Sequence, residues 1–421
     1  MAHRHIPVRP NLVQLRNQAK DFLHAIRSGD VAAVAEFREY HPNPVDPASA
    51  TLAAAQLALA RSYGLPSWPR LVTACRMTDA IWHGDVEAVR KLVLRSPQLL
   101  HEDARGVGGN WGPPMSYAAN LGQDAIIEML RDLGASDMQY AFGRACLQGQ
   151  VQTARKLHAM MGYPRPDDQV LGWSAYTLNL AGTSLLLELG ARLYDDDGKR
   201  LAPVDVVLET DSRNPEAKHR ILELYAEHGF NFPDTPTMAL HRGRIDLLED
   251  HLSRDPGLLA RTFSHDEIYP PELGCHDEVL ATHGTPLAGA TLLHMCADYN
   301  EIEIARWLLD RGMNADARAA IDADGFGGHT ALFSTVVSQP NFWMHHDQKP
   351  EDVSFTRLLL DHGADPNVRA SLRKELHPGY GVEGRHEYRS VTPLSWGQQF
   401  HFKKLVNNAA MQLIAEHGGR P

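Results

Sequence analysis

One phrase recurs along this chain and constrains its fold more than any other feature: a leucine-rich run, then glycine, then a short polar stretch. It is clearest at Leu359-Leu360-Asp361-His362-Gly363-Ala364-Asp365-Pro366-Asn367, and it returns around Gly134, Gly190, Gly229, Gly312 and Gly418. A glycine in this position can take the left-handed conformation that ends a helix without Cβ strain. Phrases of a second kind open helices: Gly289-Ala290-Thr291-Leu292-Leu293-His294, Gly328-His329-Thr330-Ala331-Leu332-Phe333 and Ser390-Val391-Thr392-Pro393-Leu394-Ser395. Threonine there can cap free backbone N–H groups, and proline in the first turn sacrifices no hydrogen bond. A start and a stop that alternate at a near-constant spacing mean stacked helical units.

Together the two phrases resemble the ankyrin repeat, with its T-P-L-H-x-A opening and its L-L-x-x-G-A-D-x-N close. The fullest copy runs from Gly289 to Gly312, with Leu292 where the family has proline. Weaker copies begin at Asp79, and the stretches 141–157 and 238–252 give two more helix pairs. The resemblance covers roughly residues 76 to 420, or about eight or nine units of ~33 residues. It implies an all-α ankyrin-repeat solenoid of helix pairs and hairpin loops. It also implies that His294, at the histidine position of the opening, serves a structural hydrogen bond.

Residues 1–75 have a different pattern. Amphipathic helices are expected over 12–23, 31–40 and 52–63. The stretch from Ala55 to Trp68 looks like the N-terminal helical segment of many bacterial ankyrin proteins, and its expected task is to cover the first apolar face of the stack. The expected organisation is therefore a capping segment (1–75), degenerate repeats (76–261), and repeats with long loops (262–421).

Spacing between the closing glycines locates those loops. Gly190 to Gly229 spans 39 residues, whereas Gly312 to Gly363 spans 51 and Gly363 to Gly418 spans 55. The excess over one ~33-residue unit is about 18 and about 22 residues, and Gly229 to Gly312 exceeds two units by about 17. The surplus falls in 262–286, 319–328, 339–354 and 371–391. Long loops in compact proteins are usually functional or disordered. These are rich in aromatics and histidine, which disordered segments lack.

Histidine can act as acid, base or metal ligand near neutral pH, and a neighbouring carboxylate can orient it. His265, Asp266, His276, Asp277, His283, His329, His345 and His386 are accordingly the candidate catalytic residues. Aromatic and polar anchors suit recognition; the candidates are Trp111, Trp173, Tyr176, Tyr269, Phe326, Phe342, Trp343, His346, Asp347, Tyr380, Arg385 and Tyr388. Against these stands the commoner use of histidine as a surface or capping residue, expected for His228, His362 and His417 at helix ends. No H-E-x-x-H, G-x-S-x-G or P-loop motif occurs, and Gly325-Phe326-Gly327-Gly328 has no preceding strand or following lysine.

Two functions remain open. One is a binding protein that recognises a protein partner or small-molecule ligand through its concave face and C-terminal loops. The other is a hydrolase or lyase using His/Asp acid–base chemistry in a site those loops form. The formal net charge of -11 carries no concentrated basic face, so no nucleic-acid partner is expected. No metal or cofactor is expected. The absence of a long apolar segment and the four scattered cysteines lead to the expectation of a reduced, cytoplasmic protein away from membranes.

Overall fold

The structure is a computed structural model that describes residues 4–210, 213–278, 284–338, 351–376 and 384–421. Its contacts cluster into two compact units, Met1–Pro166 and Asp167–Pro421.

The first unit opens with α1 (Leu12–Arg27), α2 (Val31–Tyr40) and α3 (Leu52–Ser62). Asn11, Asp30 and Thr51 cap them, each accepting a backbone N–H from inside the first turn. Their shared core is Phe22, Ile26, Phe37 and Leu59, closed by Leu71 and Ala74 of α4. Helix pairs follow: α4 (Trp68–Trp82) with α5 (Val86–Arg95), α6 (Pro114–Asn120) with α7 (Asp124–Asp132), and α8 (Met138–Leu147) with α9 (Val151–Met160). Helix α4 begins at the Ser67 cap, with Pro69 in its first turn, so residues 75 and 76 lie mid-helix.

The second unit continues the pattern with α10 (Val170–Tyr176) and α11 (Leu180–Glu188), α12 (Val204–Leu208) and α13 (Pro215–Glu227), and α14 (Pro236–His241) and α15 (Ile245–Arg254). A short α16 (His265–Ile268) precedes α17 (Leu292–Tyr299) and α18 (Ile302–Asp310). Then come α19 (Ala331–Val336) and α20 (Ser354–Asp361), and finally α21 (Pro393–Gln399) and α22 (Asn408–Glu416). Among the described residues, nine helix pairs are therefore present. Thr235, Thr291, Thr330 and Thr392 stand at the N-caps of α14, α17, α19 and α21.

The closing glycines behave as their placement requires. Gly134, Gly190, Gly229, Gly312, Gly363 and Gly418 all have φ between +82° and +98°. A Cβ built at Gly363 would meet nothing within 4 Å, so its demand is purely conformational. Gly363→Ala should therefore cost about 1–2 kcal/mol in a denaturant melt, the left-handed penalty of an L-residue. A second device recurs beside these glycines. The Nδ1 atoms of His228, His362 and His417 each lie 2.8 Å from the carbonyl four residues earlier. The imidazole N–H groups thus add a second donor to carbonyls of the last turn that already accept the backbone N–H of the same histidines, at 3.2 Å.

One element departs from the expected helices and loops. Strands β1 (Ala370–Lys374) and β2 (His386–Val391) form an antiparallel hairpin with Leu372 opposite Tyr388 and Lys374 opposite His386. An irregularity near Ser371 shifts the register, and Ser390 takes φ of +52° there.

Candidate functional site

The long loops of the second unit are laced together at their bases. Phe263 pairs with Ala290, which joins the two ends of the first loop. The Ala320 N–H then donates to the Gly289 carbonyl at 2.8 Å, and the Gly327 N–H to the Ser371 carbonyl at 2.7 Å. Three successive hairpins are joined edge to edge by main-chain bonds, which carry no side-chain requirement. Gly327 is essential to this join: at φ +119° its Cβ would stand 2.0 Å from the Ala320 carbonyl oxygen.

The tip of the second hairpin is held by charge. Arg373 donates to Asp322 and to Asp324, both at 2.8 Å. The guanidinium groups of Arg373 and Arg389 lie 4.9 Å and 4.4 Å from the ring centre of Phe326. Planar guanidinium stacks well on aromatic faces and pairs with carboxylates in the same pose. Phe326 is accordingly buried.

Between these elements lies a recess of about 540 Å3, within the usual range of small-molecule sites. Its walls include Phe263, His265, Glu278, Ile321, Asp322, Phe326, His329, Leu372 and Arg373. Two of the candidate histidines, 64 residues apart in sequence, thus line one cavity with a carboxylate. His265 opens α16, where Ser264 and Glu267 form a reciprocal cap, and its ring packs 5.0 Å from that of Tyr269. Burial pushes the His265 pKa down, with Glu278 opposing and Lys374 reinforcing that shift. Lys374 is itself buried, its Nζ donating to the Glu278 carbonyl at 3.2 Å, and burial lowers its pKa too.

His329 is 1% exposed, and burial pushes its pKa down to about 4. Its Nε2 lies 3.0 Å from the Pro286 carbonyl, which can only accept, so Nε2 carries the proton. Nδ1 is then a lone-pair acceptor, fully buried and without a hydrogen-bond partner among the described residues. The adjacent His294 is saturated: its Nδ1 is 2.8 Å from the Thr291 hydroxyl and its Nε2 is 3.0 Å from the His329 carbonyl. His294 therefore locks one hairpin to the next and has no capacity left for chemistry.

The remaining candidates lie elsewhere. His276 engages Glu209 through both its backbone N–H (2.6 Å) and Nδ1 (2.8 Å), pinning the far end of the loop to α12. Glu209 raises the His276 pKa; burial dominates at Glu209 and raises its carboxyl too, although His276 pulls the other way. The docked imidazole therefore holds its proton more tightly than a free one. Its contribution to docking is complete below the ordinary value of about 6.5 and is lost as pH rises through the raised one. An NMR titration should place His276 above that ordinary value, and Glu209→Gln should return it.

Asp266 and Asp277 are exposed. His386 stacks on His401 at 3.9 Å on the far strand of the β hairpin. The Tyr388 hydroxyl lies 2.6 Å from His401 Nδ1 and its ring packs edge-on to Trp396, which makes it a core residue; Arg385 beside it is exposed. Tyr269 is buried, its hydroxyl bonded to that of Tyr299, which donates to the Leu208 carbonyl at 2.7 Å. Trp173 and Tyr176 belong to α10, with Tyr176 exposed. Trp111 is in the first unit, between Trp82 and Tyr117. His283, Phe342, Trp343, His345, His346, Asp347 and Tyr380 lie outside the described residues. Among the described residues, no group of three or more His, Cys, Asp or Glu could hold a metal ion.

Close to the loops lies a buried charged cluster that no motif announced. Arg213 donates to the Asp298 carbonyl at 2.7 Å and to its carboxylate at 3.1 Å. Lys218 stands 3.2 Å from Glu301, which also meets His219 at 2.8 Å. Arg213 and Lys218 both approach the ring of Tyr299, at 4.7 Å and 3.9 Å. Sequence reasoning also missed Leu372, Arg373 and Lys374 as site-forming residues. The available signal was the stretch Ala-Ser-Leu-Arg-Lys at 370–374, whose alternate residues are buried.

A family model described as the ankyrin repeat matches residues 288–317, the segment spanning α17 and α18. Solved structures similar to the chain include the human ASB11 ankyrin repeat domain, at 15% identity and a TM-score of 0.27, with 73% of this chain and 99% of that chain covered. No curated protein matches the chain. Among the described residues no helix is long and apolar enough to cross a membrane. The chain is mostly helical, each unit is built of helix pairs as in ankyrin-repeat architecture, and the matched ankyrin repeat points to a role in protein interaction.

Proposed function

We propose that this chain is a binding protein whose recognition site is the recess between the hairpins of its second unit. The observation that carries this reading is the way the loops are built. Main-chain bonds tie Phe263 to Gly289 and Ala290, Gly289 to Ala320, and Gly327 to Ser371, yet the described loops leave a recess of about 540 Å3 among aromatic and polar side chains. Loops that served only to pack on the stack would close such a space, since interiors tolerate few voids larger than a water molecule. Ile321, 65% exposed at the rim, offers an apolar contact to whatever enters.

The test is a plug. Ala288 lines the recess and is exposed, so Ala288→Trp fills the space without displacing a core side chain. Equilibrium dialysis of the purified protein against a cell extract, read by mass spectrometry, should show species retained by the parent and released by the plugged variant. Equal retention by both proteins would end the reading.

A second reading, acid–base catalysis in the same recess, draws on His265, whose lowered pKa keeps it unprotonated at neutral pH beside Glu278. It predicts that a retained species is chemically changed by the parent protein and left intact by His265→Phe.

A further inference from the structure

We infer that α4 and α6 of the first unit form a groove for an extended, proline-containing peptide that carries an arginine, and that the chain's own residues 4–10 fill it as a stand-in. This site is separate from the recess and does not rest on it.

Residues 4–10 meet the groove as a bound peptide would. They form no helix or strand, and Pro7 and Pro10 bias them toward the extended, low-entropy form that aromatic-lined grooves accept. Groove side chains hold the main-chain carbonyls. The Tyr117 hydroxyl donates to that of Val8 at 2.9 Å, and Arg105 Nη1 to that of Ile6 at 3.5 Å. Ile6 and Pro10 are buried anchors, whereas His5 and Pro7 are exposed.

Arg9 supplies the specificity. Its Nη2 and Nε donate to one oxygen of the Asp79 carboxylate, at 2.7 Å and 3.2 Å. Its guanidinium lies 5.3 Å from the ring centre of Trp82, which stacks on Trp111. His83 Nδ1 lies 2.9 Å from the Asp79 carbonyl, which can only accept, so Nδ1 carries the proton. His83 Nε2 is then an acceptor for Arg9 Nη2 at 3.1 Å. Two acceptors beside an indole face suit a planar guanidinium better than the point charge of lysine.

The hold is also one that can be released. The Arg4–Glu36 and Arg9–Asp79 pairs have arginine side chains 39% and 38% exposed, where ion pairs contribute little. Residues 4–10 can therefore lift by local opening while the helices stay folded. A partner segment of the same chemistry must outcompete a tethered one, which has the advantage of high effective concentration.

The experiment uses the full chain and a fluorescein-labelled peptide with the sequence of residues 4–11, followed by anisotropy. Arg9→Asp sets a carboxylate against Asp79, and Ile6→Ser removes the apolar anchor, so the double variant should free the groove. It should bind the peptide about tenfold or more tighter than the parent does. A peptide with lysine in place of its arginine should bind the freed groove about tenfold more weakly. Circular dichroism checks folding; if the double variant unfolds, Arg9→Asp alone decides, since Arg9 lies at the surface. Equal binding by the parent and a folded, freed variant would overturn the proposal and make residues 4–10 a fixed part of the fold. Equal binding of the arginine and lysine peptides would overturn the assigned chemistry.

Discussion

Asp298→Ala should destabilise the second unit by about 3–5 kcal/mol, the cost of stripping one partner from a buried ion pair. The Asp298 side chain is 0% exposed and that of Arg213 is 7% exposed, so water cannot replace the lost carboxylate. Arginine cannot escape by deprotonating. The neighbouring pair offers an instructive contrast. Burial already lowers the pKa of Lys218, so the ammonium can release its proton when Glu301 becomes Gln. Glu301→Gln should therefore cost less than Asp298→Ala. Paired denaturant melts check the order, and equal losses would show that Arg213 is as adaptable as Lys218.

Trp396→Ala should cost a further amount of similar size, about 3–5 kcal/mol, because it empties the largest fully buried side chain among the described residues. This change reaches the recess as well as the core. The indole N–H donates to Thr285 at 3.2 Å, and Thr285 in turn donates to the Val337 carbonyl at 2.7 Å. Pro286, next in the chain, supplies the carbonyl that orients His329. Trp396→Phe retains most of the ring and loses only the N–H, so it should keep most of the stability while loosening residues 284–286. Hydrogen exchange at Leu287 and Ala290 separates the two effects.

The stack was legible in the sequence because its signals are local. A left-handed glycine at 363, a threonine cap at 392 and a histidine bonded to Thr291 three residues earlier each act within one helical turn. The amphipathic helices before residue 63 were legible for the same reason. The β hairpin was not. Its first strand carries Arg373 and Lys374 rather than a clean apolar alternation, and its register is set by a bulge across some twenty residues. The loop boundaries followed from counting between glycines, yet counting cannot say which loops meet. His265 and His329 share a cavity only because Phe263, Gly289, Ala320 and Gly327 join successive hairpins through the main chain. Arg213 and Asp298, 85 residues apart, are likewise matched by stacking and by no motif. Composition marked the loops as rich in histidine without separating His329, buried on the recess wall, from His276, exposed and committed to Glu209.

The most direct test of the recess as the recognition site is an imidazole NMR spectrum of the full chain, recorded before and after adding the species retained in dialysis. The account predicts that the ring signals of His265 and His329 move on binding. Those of His228, His362 and His417, each spent on a helix-end carbonyl, should stay in place. A bound species that leaves His265 and His329 unmoved, or that shifts only signals outside the second unit, would contradict it.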